Sequence, residues 1–118
     1  NQHRLHLGYH YPRSKDTIEE ILRNNKRFEK EFGECLLTLD NNFYLVHSNS
    51  EISFSEYIKI YNSYNLKHRI VKKNDLYPYV KNLDNIQGAL DTDEKCIDLQ
   101  KTKNLIKNKL KPIIKKSK

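Results

Sequence analysis

Three histidines near the start of the chain have types and spacing that could do chemistry. On a helix, His3, His6 and His10 would lie along one face, where three imidazoles could bind a metal ion. The alternation of apolar and polar residues here, together with Gly8 and Pro12, favours a strand instead. On a strand only His6 and His10 share a face, and no neighbouring cysteine or acid completes a ligand shell. We therefore predict sheet-face or surface histidines, with no metal and no cofactor.

Other histidines offer an acid–base alternative. His47 and His68 could join His6 on one face of a sheet, and imidazoles titrate close to neutral pH. The chain shows no recognisable nucleophile and no paired carboxylates beside these histidines. We therefore do not predict an enzyme, and a small enzyme that uses a histidine cluster remains the second alternative.

Net charge points to an anionic partner, and the charge is concentrated at one end. The 118-residue chain carries a net charge of +7. Eight lysines and no acidic residue lie between Lys101 and Lys118, so the rest of the chain sums to one negative charge. A basic segment of this kind is typical of contacts with nucleic-acid phosphates.

The cysteines and the hydropathy indicate the compartment. Cys35 and Cys96 are too few and too far apart for a disulfide framework, which favours reduced thiols in an intracellular protein. The chain contains no apolar run near the ~20 residues that a membrane helix needs. We predict a soluble intracellular protein without a membrane partner, and the sequence makes no prediction of oligomeric state.

Apolar periodicity and turn residues predict the elements that position these groups, and Ser53 and Glu56 have the spacing of a capping box at a helix start. Asp40, Asn41 and Asn42 between two apolar runs predict the turn of a hairpin. Pro112 is expected to bend or end the last helix. The predicted elements are a strand over 4–11, a helix over 16–32, hairpin strands over 35–39 and 43–47, a helix over 53–64, a strand over 66–73 and a helix over 91–118.

This order predicts an α+β fold. A βαββαβ sequence of elements packs two helices on one face of a four-stranded antiparallel sheet, the ferredoxin-like arrangement, here with an added C-terminal amphipathic helix. The predicted divisions are an α/β sandwich over 1–83, a connector over 84–90 that contains Gly88, and a C-terminal helix with a basic tail over 91–118.

Three segments resemble the RNA-recognition motif. Residues 5–10 (LHLGYH) resemble the first-strand hexamer of that family, residues 28–34 (FEKEFGE) resemble the end of its first helix, and residues 41–48 (NNFYLVHS) resemble its third-strand octamer. In the octamer, Asn41 and Asn42 stand where the family has a basic residue and a glycine. The added helix resembles that of La-type extended motifs.

The resemblance implies RNA binding by stacking on an open sheet face, with a lysine-rich helix on phosphates. The alternative is a degenerate, RNA-recognition-motif-like protein-interaction module in a larger assembly, because Leu36 and Leu45 could make that face apolar. Which applies depends on whether the last helix covers the sheet. The nucleic-acid-binding residues that we predict are His6, Phe43, Leu45, His68, Arg69, Lys101, Lys103, Lys107, Lys109 and Lys111.

Overall fold

The computed structural model describes residues 3–117, and their side chains as far as residue 113. Within these residues the chain is α+β, with four α-helices and two three-stranded antiparallel sheets. The strands are β1 (Arg4–Leu5), β2 (Leu36–Thr38), β3 (Phe43–His47), β4 (His68–Val71), β5 (Ile86–Thr92) and β6 (Lys95–Ile97). The helices are α1 (Lys15–Phe32), α2 (Phe54–Ser63), α3 (Lys73–Leu76) and α4 (Leu99–Ser117), with a 3₁₀ turn at Gly33–Cys35.

Side-chain caps fix where the first two long helices begin. Ser14 Oγ accepts a hydrogen bond from the Thr17 amide at the start of α1, so Ser14 is the cap. At α2 the predicted capping box is confirmed: Ser53 Oγ accepts from the Glu56 amide, and the Glu56 carboxylate accepts from the Ser53 amide. Each cap satisfies amides that the helix itself leaves unpaired.

The central strands β5 and β6 are separated only by Asp93 and Glu94. One sheet has the order β1-β6-β2 and the other β3-β5-β4. Strand β2 pairs with β6 and β3 with β5, both antiparallel, so the segment 36–47 runs in one direction alongside 86–97. The predicted hairpin between β2 and β3 is therefore wrong, because the chain does not reverse between them.

Asn41 and Asn42 explain that difference. Asn41 does adopt the left-handed backbone conformation expected of turn residues, with φ of 59°. Asn42, however, is buried; its carbonyl accepts from the Thr92 amide at 3.0 Å and its side-chain amide donates to Thr92 Oγ1 at 2.7 Å. These bonds tie the segment to β5, so the asparagines form an irregular joint within an extended segment.

The predicted connector over 84–90 is also wrong. Ile86–Thr92 is the strand that pairs with both β3 and β4, and a helix begins only at Leu99. Gly88 suggested a flexible link, yet it lies within β5, where a Cβ atom would come 2.6 Å from the Phe54 ring. The structure thus has six short strands in two sheets where the sequence predicted four strands in one sheet.

Both faces of the β3-β5-β4 sheet are covered. One face carries the cluster of Tyr9, Tyr61, Leu66 and Leu90, against which side chains of α1 and α2 pack. The other face carries a second cluster, supplied by the sheet, α3 and the segment that follows it. Its buried members are Val71, Leu76, Leu83 and Ala89, and its partly buried members are Phe43, Leu45, Val80 and Ile86.

Helix α4 packs against the 3₁₀ turn, and the molecule is elongated, with a longest dimension of 61 Å. The ammonium of Lys109 lies 5.0 Å from the centroid of the Phe32 ring, a cation–π contact with the end of α1. Pro112 does not end the helix, which continues to Ser117. Among residues 3–117, no helix has the length and apolar character that crossing a membrane requires.

Candidate functional site

The two β3 residues predicted to bind nucleic acid lie in a packed region. Phe43 and Leu45 are half-buried against the cluster that contains Val71 and Leu76. The Phe43 ring lies 5.3 Å from the Tyr79 ring, centroid to centroid, in an edge-to-face arrangement. The segment after β4 therefore occupies the face on which bases were expected to stack.

His68 and Arg69 lie at the same end of this sheet as Phe43, because Arg69 and Phe43 both pair with Asp91. His68 Nδ1 lies 2.7 Å from the Leu66 carbonyl oxygen, and Arg69 Nη2 donates to Asp91 Oδ2 at 3.2 Å. Both residues line an open groove of about 580 Å³, in which the carboxylates of Asp40 and Asp93 accompany that of Asp91. Lys67 also lines this groove, and Arg69 is already paired with Asp91, so the groove has no excess of positive charge for phosphate.

The five predicted lysines lie together on α4 with exposed side chains. They are Lys101, Lys103, Lys107, Lys109 and Lys111. Residues 99–117 contain no acidic side chain that could neutralise them. Phe43 is not on this helix, because it lies on the packed face of the β3-β5-β4 sheet.

His6 lies beside two groups that the prediction of a binding surface did not include. His6, His10 and Glu94 each offer a ligand atom, and these atoms lie within 4.8 Å of one another. His6 Nδ1 is 3.6 Å from Glu94 Oε1, and the two imidazole centroids are 5.0 Å apart. The Tyr44 ring is 4.7 Å from the His10 ring, so a phenol adjoins the cluster.

The local backbone explains how these residues meet. His6 directly follows β1, and a turn closed by the Tyr11 amide on the Gly8 carbonyl brings His10 back toward it. Gly8 has φ of 96°, a conformation that side-chain-bearing residues rarely adopt. Glu94 stands at the joint between β5 and β6, and its Oε1 accepts from the Leu7 amide at 3.3 Å. The joint and the turn thus face each other.

Several polar atoms of this cluster are buried without a hydrogen-bond partner. The Glu94 side chain is 0% exposed, and its Oε2 has no partner among the described residues. His6 Nδ1 and the Tyr44 hydroxyl are also buried and unpartnered in this part of the structure. Buried polar atoms are nearly always satisfied, so three in one place require an explanation.

Burial also sets the protonation of the neighbouring groups. It lowers the pKa of His10 below its ordinary value, against the opposing effect of the Glu94 carboxylate. Burial raises the pKa of Tyr44, with a further increase from Glu94. A neutral imidazole, a neutral phenol and a buried carboxyl group therefore face one another. Such a set can bind a cation or transfer protons.

The sequence contained a signal for Glu94 that the prediction did not use. Asp91, Asp93, Glu94 and Asp98 were interpreted as the acidic start of a C-terminal helix. Every second residue from Leu90 through Thr92 to Glu94 is buried, which is the period of a strand. Glu94 is an acidic residue at one of these buried positions, and it therefore indicates a polar site inside the fold.

The fold and this cluster were also compared with known proteins. No protein-family model, no curated protein and no solved structure matches the chain. Its function is therefore argued from its own residues.

Proposed function

We propose that the protein binds RNA through the lysines of α4. One observation carries the proposal: five exposed lysines lie on a helix that contains no acidic residue. Phosphate contacts from lysine supply most of the affinity in binding that does not depend on sequence. The remainder of the chain is close to neutral, so α4 is where a polyanion would be attracted.

The spacing of the lysines suits a continuous contact. Lys103, Lys107 and Lys111 are four residues apart, which places them along one side of the helix. Successive ammonium groups are then about 6 Å apart along the axis. Lysines near the end of a helix also complement its dipole, but three in one row repel one another unless an anion lies between them.

This proposal keeps the function that the RNA-recognition motif implies and changes the surface that performs it. Phe43 and Leu45 are half-buried, and base stacking on them is not part of the proposal. Binding that relies on phosphate contacts is strongly salt-dependent and has little sequence preference. We therefore expect similar affinities for single strands of different sequence.

A protein-interaction module is the second candidate, and a separate feature of α4 favours it. Leu99, Ile106 and Leu110 are each about two-fifths exposed, and their spacing of seven and four residues places them along one side of the helix. Amphipathic helices of this kind insert their apolar side into a groove of a partner protein. The lysines would then surround that contact.

The test is a titration of a single-stranded RNA at several salt concentrations. We expect replacement of Lys103, Lys107 and Lys111 by glutamine to lower the magnitude of the log–log salt slope by about 2, since each single-strand phosphate contact contributes about 0.7. The matched control replaces the exposed Lys26, Lys59 and Lys73, on three other helices, and should leave the slope unchanged.

Two outcomes would decide between the candidates. An equal loss in the control, or no binding at low salt, would contradict RNA binding by α4. Leu110→Asn should change RNA affinity by less than about twofold if only phosphates are contacted. A larger loss would place Leu110 within the RNA-binding surface, whereas an absence of RNA binding would leave the protein-interaction module as the candidate.

A further inference from the structure

We propose that His6, His10 and Glu94 bind one divalent transition-metal ion, for which Zn²⁺ is the best-suited common ion. This site is separate from α4 and does not depend on RNA binding. Its support comes from the ligand set, the unpartnered atoms, the residues that hold the ligands and the accessibility of the cluster.

The ligand set matches the chemistry of such an ion. Two imidazole nitrogens and one carboxylate oxygen are the three protein ligands of many zinc sites that keep an open position. The ligand atoms lie within 4.8 Å of one another, and the closest measured pair, His6 Nδ1 and Glu94 Oε1, is 3.6 Å apart. The His10 ring already lies beside the His6 ring, while the residue as a whole remains accessible to solvent.

The unpartnered atoms are what an ion would satisfy. Glu94 is fully buried, yet its Oε2 accepts no hydrogen bond, and His6 Nδ1 is buried without a partner beside it. A buried carboxylate needs a compensating charge, and a partial ion pair with His6 at 3.6 Å leaves one oxygen unsatisfied. One cation between His6 and Glu94 would satisfy both groups.

Outer contacts already hold two of the ligands. Glu94 Oε1 accepts from the Leu7 amide, and the Asn25 side-chain amide donates to the His6 carbonyl oxygen. A contact such as that to Glu94 orients a metal ligand, whereas the Asn25 contact holds the His6 backbone. The Tyr44 hydroxyl has no partner among the described residues and belongs to a ring beside His10, so it would be available to a water on the ion. The Asn25 contact also gives α1 a role in positioning the site.

The cluster discriminates between classes of ion. Mg²⁺ and Ca²⁺ take oxygen ligands almost exclusively, whereas imidazole suits Zn²⁺, Co²⁺, Ni²⁺ and Cu²⁺. The His6 side chain is 42% exposed, so the ion can enter from solvent and retain a water. A site with three protein ligands and a water is open to a substrate, which gives the cluster a route to hydrolytic chemistry.

The experiment is a calorimetric titration of the chelator-treated full chain with ZnSO₄, and separately with MgCl₂. We expect one Zn²⁺ per chain and no detectable Mg²⁺ binding. His10→Asn and Glu94→Gln should each raise the Zn²⁺ dissociation constant by more than about 100-fold, the upper end of the loss typical of an outer-shell contact. His47→Asn is the matched control, since His47 is an exposed histidine outside the cluster.

A second readout guards against a folding defect. His10 is exposed, so His10→Asn should keep the fold even if Glu94→Gln does not, and circular dichroism would establish this for both variants. Co²⁺ should give visible absorption bands with the wild type and with His47→Asn, and lose them with His10→Asn. The proposal is overturned if Zn²⁺ does not bind, if it binds equally well to the His10 and Glu94 variants, or if the His47 control loses binding equally.

Discussion

Adjacent residues of β3 face two different environments. Phe43 and Leu45 point to the side that is packed by α3 and the segment after it, where the contacts are apolar. Tyr44 points to the opposite side, toward His10 and Glu94, and its hydroxyl is buried without a partner among the described residues. Successive side chains of a strand point to opposite faces of the sheet. Neighbouring residues of β3 therefore contact an apolar cluster on one face and polar groups on the other.

The two sides of β3 should respond differently to substitution. On the packed side Phe43 and Leu45 contact apolar neighbours, so their truncation should reduce the free energy of unfolding. The polar side also carries the apolar cluster that contains Tyr61 and Leu90, but the Tyr44 hydroxyl is unsatisfied there among the described residues, and removal of such an atom should cost little stability. The four predictions that follow test this division.

The largest effect is expected from Leu76→Ala on the packed side. Leu76 is 0% exposed within the cluster, so its truncation leaves a cavity and should lower the free energy of unfolding by about 3 kcal/mol. Ile70→Ala is the control, because Ile70 is 57% exposed in β4, and it should cost less than about 1 kcal/mol. Urea denaturation measures both. Equal losses would contradict the packing described for this face.

Phe43→Ala should cost about 2 kcal/mol, since half of a phenylalanine side chain is withdrawn from an apolar cluster. RNA affinity, measured where the variant is fully folded, should remain unchanged. A clear loss of RNA affinity without a loss of stability would restore the base-stacking role that the sequence suggested for Phe43.

Tyr61→Phe tests a satisfied phenol on the polar side. The Tyr61 hydroxyl donates to the Tyr9 carbonyl oxygen at 2.6 Å, so its loss should cost about 1 kcal/mol near neutral pH. Burial raises the pKa of Tyr61 above its ordinary value of 10.0. The stability contributed by the neutral phenol is therefore present below about pH 10 and lost as the pH rises further.

The measurement is urea denaturation of both proteins at about pH 8 and about pH 11, on either side of the ordinary phenol pKa. The wild type should lose more stability than Tyr61→Phe between these values. A wild-type protein with the same dependence as the variant would show that Tyr61 ionises equally in the folded and unfolded states.

The smallest effect is expected from Tyr44→Phe. Removal of a buried hydroxyl without a partner removes a desolvation cost, so the free energy of unfolding should stay constant or rise by up to about 1 kcal/mol. Comparison with Tyr61→Phe by the same denaturation gives the contrast between an unsatisfied and a satisfied hydroxyl. A loss of more than 1 kcal/mol for Tyr44→Phe would reveal a partner for that hydroxyl, by the usual value of one hydrogen bond.

Local rules predicted much of the secondary structure. Periodicity and capping residues located α1 and α2, including the Ser53 cap, because these signals act within a few residues of each other. The strand pairing could not be predicted in the same way. Asn41 signals positive φ, but whether the chain then reverses depends on Thr92, fifty residues after Asn42, which binds it.

The cluster was only half predictable for a related reason. His6 and His10 were predicted to share a face, and the two do meet. The strand predicted over 4–11 is wrong, however, because β1 ends at Leu5 and the turn at Gly8 brings the histidines together. Their third member, Glu94, lies 84 residues beyond His10, and only the pairing of β1 with β6 brings it near. The absence of a nearby acid in the sequence therefore gave no information about the space around the histidines.

The central position of β5 and β6 has a consequence for synthesis of the chain. Each strand pairing in residues 3–117 has β5 or β6 as one partner, and these strands begin only at residue 86. Until the ribosome has made residue 86 and those that follow it, β1 to β4 have exposed edges and no partner. Such edges favour aggregation, so the nascent chain depends on the prompt arrival of one late segment.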